Sequence, residues 1–138
     1  MKELLVLLRA MQIFSQNAHH LVKGSSFHSD HSFFGDVYEE VAGDFDSLAE
    51  RIVGLYGEEH LALQPMLTAV VAKLSDAPSI AVEDNQTFYS HQLKMEESLC
   101  KLVEKIIAAG VYPGTEQLIG EIANKAEMRK YKIKQRTK

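Results

Sequence analysis

Apolar residues recur at three- and four-residue spacing along almost the whole chain, and that pattern narrows the fold more than any other feature of the sequence. Leu4, Leu5, Leu8, Met11 and Phe14 mark one helix face, which continues to about Leu21. Lys23, Gly24, Ser25 and Ser26 break it, with Gly24 as the stop. A second helix is expected from near Ser29, with Ser29 as cap and Asp30 in its first turn. It runs through Phe33, Phe34, Val37, Tyr38, Val41, Phe45, Leu48, Ile52 and Leu55 to a stop at Gly57. The stretch from about Glu58 to Leu74 contains Pro65 and predicts a short or broken helix. "SDAPSIAVED" is the clearest loop. A third long helix reads from about Asn85 to Ala109, with Phe88, Leu93, Leu99, Leu102, Val103 and Ile106 inward. After the turn "GVYPGT", Thr115 caps a fourth helix running through Leu118, Ile119, Ile122, Ala123 and Ala126 towards Tyr131.

No strand and no internal repeat is evident. The expectation is one all-α domain over residues 1–138, ending in a short basic tail from about 132. Four long helices, with a long helix-bearing crossover between the second and third, describe a ferritin-like bundle better than a plain up-down one. A composition 46% hydrophobic and 25% charged supplies a core for one such domain. No apolar run approaches the roughly 18–20 residues that span a bilayer. The opening "MKELLVLLRAMQIF" has a leader-like look, but Arg9 interrupts it and no small-residue cleavage site follows. With a single cysteine, Cys100, the chain fits a reducing, cytoplasmic setting. Cys100 lies among apolar residues and reads as core. A net charge of −4 is unfavourable for binding a polyanion through the body of the protein.

Four of the six histidines fall within "HHLVKGSSFHSDH", residues 19–31. The second helix then carries "DFDSLAERI", in which Asp46 and Glu50 are four residues apart and so share a face. Imidazole combined with carboxylate suits divalent iron, manganese or zinc. His31 precedes Asp46 by fifteen residues, which leaves the two about 60° apart around a helix but about 22 Å apart along it. They cannot meet within one subunit. Two copies of the helix crossing antiparallel about a twofold axis, near residues 38–40 with Ala42 and Gly43 close by, bring the His19/His31 end of one chain to the Asp46/Glu50 end of the other. A plainer reading stands beside this one. An Asp/Glu pair at that spacing is often a solvated face, here balanced by Arg51 and other cations, and a histidine near a helix start is often a surface or capping group.

The ordered stretch "HHLVKGSSFHSDHSFFGDVYEEVAGDFDSLAERI" resembles the signature of the Dps family, the DNA-protecting mini-ferritins. Aligned on Lys23-Gly24 and Phe27, the family's ligands fall on His19, His31, Asp46 and Glu50, with Ala49 and Arg51 also matching. The match is specific over residues 19–51. "TEQLIGEIANKAEMRKY" is more weakly similar to the family's closing helix. The resemblance implies twelve subunits in a hollow shell built from twofold dimers, with the ferroxidase centre between two subunits. His19 and His31 of one chain and Asp46 and Glu50 of the other would hold ferrous iron. Peroxide or oxygen would accept its electrons, and ferric oxide would be stored inside, which protects against oxidative damage.

One position departs from the pattern. Gly35 stands where the family usually has a carboxylate, one turn after the second histidine. Such a site is expected to bind one metal, to bind it weakly, to prefer zinc or another divalent ion, or to recruit His28, Asp30 or Asp36 instead. His20 diverges from the ligand face, and His60 and His91 have no partner pattern. The alternative function is a shell-forming structural or DNA-binding relative with a degraded metal centre; a helical bundle unrelated to ferritins is a third reading. From Lys125 to Lys138 seven basic residues face the single acid Glu127. A basic tail of that kind binds DNA phosphates without reading sequence. The plainer role for those charges is to complement a helix C-terminus.

Overall fold

The computed structural model describes residues 1–78, 80 and 84–138. Five α-helices and one 3-10 turn make up its secondary structure, and no strand occurs among the described residues. They are α1 (Lys2–Leu21), α2 (Phe27–Tyr56), a 3-10 turn (Glu58–Leu61), α3 (Leu63–Lys73), α4 (Asn85–Ala109) and α5 (Pro113–Arg136). Part of the loop expected over "SDAPSIAVED" lies outside the described residues.

The ends of the helices follow local chemistry. Gly24, Gly57 and Gly110 adopt φ of +88°, +96° and +93°, the left-handed region that costs glycine little. They turn the chain after α1, α2 and α4. Helix α2 begins at Phe27 rather than near Ser29, because Ser26 precedes its first turn and donates from its hydroxyl to Asp30. Pro65 leaves α3 intact: it lies in the first turn, where no intrahelical N–H bond is lost. Likewise α5 starts at Pro113, so Thr115 falls inside its first turn and accepts a hydrogen bond from Arg51 instead of capping. Asp84 caps α4, its side chain accepting from the Gln86 N–H.

The long helices pack as a bundle: α1 against α2 and α4, and α5 against α4 and α2. Asp30 at the start of α2 bonds Tyr89 near the start of α4 and Arg136 at the end of α5, so α2 and α4 run parallel and α5 returns. The connection from Gly57 to Asp84 therefore travels the length of the bundle, with α3 lying on α1. The core holds the expected faces, including Leu4, Leu8, Met11, Phe14, Phe34, Leu48, Phe88 and Leu99. Arg9, the charge in the opening apolar run, lies with its guanidinium 3.7 Å over the Phe45 ring. Leu63, Leu67 and Val71 form a one-sided stripe on α3 that faces outward, with Leu63 66% and Val71 70% exposed. No described helix is long and apolar enough to cross a membrane.

Three ion pairs rung α5 to α2 in antiparallel order: Lys125 to Asp44, Arg129 to Glu40 and Arg136 to Asp30. The basic segment is thus helical to Arg136, and three of its seven cations are already engaged with α2 carboxylates. The tail expected from about 132 is the last turn of α5. Arg129 is buried and also grips fully buried Glu96 with two bonds, Nε to Oε1 at 2.6 Å and Nη2 to Oε2 at 2.9 Å. Burial pushes the Glu96 carboxyl upward, against the pull of that guanidinium. Gln92 donates to Glu96 from the same helix face.

Candidate metal site

His19 lies in the last turn of α1 and His31 in the first turns of α2, and the tight connection between the helices folds one ring onto the other. The imidazoles stack with centroids 3.6 Å apart and planes 16° from parallel. His19 Nδ1 donates to the His31 carbonyl at 2.6 Å, and His31 Nδ1 donates to the His19 carbonyl at 2.7 Å. A carbonyl only accepts, so each Nδ1 carries the proton, and a neutral ring of that tautomer keeps its lone pair on Nε2. The His19 carbonyl belongs to the last turn of α1, where backbone acceptors have no helical partner; His31 supplies one. This reciprocal clasp caps α1 and leaves Nε2 as the lone-pair nitrogen of each ring, the two rings lying in nearly parallel planes. Tyr38 stands edge-on to the His19 ring at 5.4 Å, and Phe27 stacks on His31 at 4.8 Å.

The connection itself is held from α4. Asn85 accepts from the Lys23 N–H and donates to the Lys23 carbonyl and to Asp30. Asp30, next to His31, is fully buried and receives bonds from Ser26, Asn85, Tyr89 and Arg136. Burial alone would raise its carboxyl, but these four donors outweigh it and hold it at about 2. Burial and the Asp30 carboxylate in turn keep the Tyr89 hydroxyl protonated far above its ordinary range.

Asp46 and Glu50 lie at exposed positions further along the same unbroken helix. One chain therefore unites His19 with His31 but leaves Asp46 about 22 Å further along α2. Among the described residues no three His, Cys, Asp or Glu side chains of the single chain come together to hold a metal ion. Of the three expected substitutes for the missing carboxylate, Asp30 is excluded, since its oxygens are consumed by the buried network. Asp36 lines the groove between α2 and α5, and His28 is exposed beside Phe27. His20 meets His19 edge-on at 5.1 Å and is exposed.

Two features escaped the sequence pattern. The network around Asp30 draws on partners 55–106 residues away, and nothing in the local sequence points to them. His91 is buried against Phe14, ring centroids 4.6 Å apart, and its Nε2 has no partner among the described residues. Its position on the apolar face of α4 was a signal available beforehand.

Compared with known proteins, the chain matches no protein-family model, no curated protein and no solved structure. What stands is an all-helical bundle carrying a paired-histidine clasp at one end of its second helix.

Proposed function

We propose that this chain is the subunit of a mini-ferritin of the Dps type, a ferritin-like bundle that assembles into a twelve-subunit shell and takes up, oxidises and stores iron. The observation that carries the proposal is the division of α2: a clasp offering two lone-pair nitrogens at one end, and the exposed Asp46/Glu50 pair towards the other. A twofold pairing of α2 helices would close two such sites per dimer from halves that are each incomplete. The parallel α2 and α4 joined by a bundle-length crossover support the ferritin-like reading, and the outward Leu63, Leu67 and Val71 stripe supports association with further copies. Iron is the substrate. Two ferrous ions each give one electron to hydrogen peroxide, which takes up two protons and leaves as two waters. Removing both reactants in this way denies hydroxyl radicals their source.

The test is iron retention by the assembled protein. Ferrous iron and limiting peroxide are added, and iron is counted in the fraction eluting at shell size, with His31→Ala/Asp46→Ala as control. Retention of many irons per shell, lost in the double variant, is the expected result. A protein that elutes as a monomer overturns the shell, and an intact shell that retains no more iron than the variant moves the reading to a scaffold with a decayed centre. Gly35 is the observation that favours this second reading. For the DNA-binding form of it, Lys130, Lys132, Lys134 and Lys138 are the cations left outside the α2–α5 ion pairs.

A further inference from the structure

Helices α3 and α4 both pack on α1 but barely on each other, which leaves a trough over the first turns of α1. Two neighbouring cavities make up this trough and share Ala72 and Lys73. The first, about 400 Å³, is lined by Val6, Ala69 and Ala72, with exposed Lys2 and Glu3 at its rim. The second, about 370 Å³, reaches α4 and sets Lys73, Lys94 and Ser98 around a floor of buried Leu7 and Met95. His91 closes its inner wall. That ring is only 8% exposed, packs on Phe14, and has an Nε2 without a partner among the described residues. Asp76 is the one acid lining this second cavity, and no ion pair of the described residues engages it or either lysine. Two cations against one anion favour a negatively charged occupant.

We infer that the trough binds an amphipathic carboxylate of the fatty-acid kind, its head between Lys73 and Lys94 and its chain laid over Val6, Ala69 and Ala72. Each cavity has the size of a small-molecule site. A charged end joined to an apolar end is what selects such a ligand. A small oxyanion leaves the apolar crevice empty, and a neutral alcohol leaves the lysines unanswered. Glu3 at the far rim sets the direction, since it repels the head that the two lysines attract. Ala69 and Ala72 contribute by being small, because larger side chains there would fill the crevice. The His91 imidazole, kept neutral by burial, carries one N–H, and a carboxylate oxygen at the inner wall supplies the acceptor that this ring lacks. The inference draws on α1, α3 and α4 alone and does not rest on the metal reading.

The test titrates the full chain with butanoate, hexanoate, octanoate and decanoate, each below its micelle concentration. Calorimetry gives the affinities, and methyl shifts of Leu7, Ala69, Ala72 and Met95 report where the ligand lies. Affinity is expected to rise about two- to fourfold per added methylene as each leaves water, with the shifts confined to the trough. Lys73→Gln/Lys94→Gln is expected to weaken octanoate by about tenfold and to leave octanol unchanged. Both lysines are exposed, so this variant keeps the fold. Ala72→Phe is expected to fill the crevice, abolishing the dependence on chain length while butanoate still binds. Equal affinity for butanoate and decanoate overturns the inference, as does octanol or inorganic phosphate binding as tightly as octanoate. Octanoate binding that the double lysine variant retains in full overturns it too. Binding to phosphatidylglycerol vesicles, with none to free octanoate, overturns it in favour of a lipid surface.

Discussion

Asp30 and Arg136, 106 positions apart in the chain, meet in a two-pronged pair, Nε donating to Oδ1 and Nη2 to Oδ2, each at 2.9 Å. The carboxylate is fully buried and the guanidinium about a third exposed. With Ser26, Asn85 and Tyr89 on the same oxygens, this one side chain ties the start of α2 to the start of α4 and the end of α5. It does so in the residue before His31, so the clasp sits beside a corner of the bundle where three helices are tied together.

Asp30 should give the protein a distinct acid limit. An unfolded aspartate titrates near 3.8 and the folded Asp30 near 2. Between those values the unfolded chain holds more protons, so stability falls as pH falls. The contribution, about 2 kcal/mol, is complete above about pH 4 and lost on descending to about pH 2. Asp30→Asn should be less stable at neutral pH by a similar amount and should lack this part of the acid slope. Urea midpoints at pH 6 and pH 3 measure both; parallel pH profiles for the two proteins would contradict an ionised Asp30.

The Glu96–Arg129 pair predicts an asymmetry. Arg129→Ala strands a fully buried carboxylate and should cost about 3–5 kcal/mol. Replacing the whole polar group by apolar side chains, in Gln92→Leu/Glu96→Met/Arg129→Leu, should recover most of that loss. Gln92 Oε1 has no partner among the described residues, which adds to the benefit. Equilibrium denaturation of the single and triple variants is the comparison, and a triple variant no better than Arg129→Ala refutes it.

His91 should weaken the fold in mild acid. Burial holds its imidazole below the ordinary 6.5, with Asp76 opposing and Lys94 adding to the effect. The folded state therefore binds fewer protons than the unfolded one, and stability declines as pH drops below about 6.5. His91→Phe keeps a ring against Phe14 and removes the titration. Melting temperatures at pH 7.5 and 5 should separate for the native protein by more than for this variant.

Asn85 should matter more than an amide at a helix start normally does. Its three bonds to Lys23 and Asp30 hold the turn between the two histidines. Asn85→Ala should cost about 2–3 kcal/mol, as buried partners lose their bonds. Amide exchange of residues 22–26 should quicken in the variant before that of α1 or α2 does.

The helices were legible in the sequence because their signal is local. The spacing of Phe88, Leu99 and Val103 fixed the face of α4, and its bounds at Asn85 and Ala109 emerged as expected. Helix starts were less legible: Ser29 and Thr115 are good capping residues by type, but Ser26 and Tyr112 stand at those boundaries. At α5 the fixed backbone of Pro113 sets the first turn, and Thr115 is taken by Arg51. The approach of His19 to His31 follows from a short turn between two helices, whereas the stacking and the crossed bonds depend on where folding brings each carbonyl. Asp30 shows the limit most clearly. By sequence it is an acid in a first turn, and nothing nearby announces that Arg136 will come to it.

The crowding of Gly35 by the His19 ring has a consequence in the genetic code. Every glycine codon lies one base from a codon for aspartate or glutamate, so the gene is always a single substitution from a carboxylate at position 35. A Cβ at position 35 would lie 3.0 Å from Nδ1 and Cε1 of the His19 ring, so an acid arriving there would have to shift that ring against its bond to the His31 carbonyl.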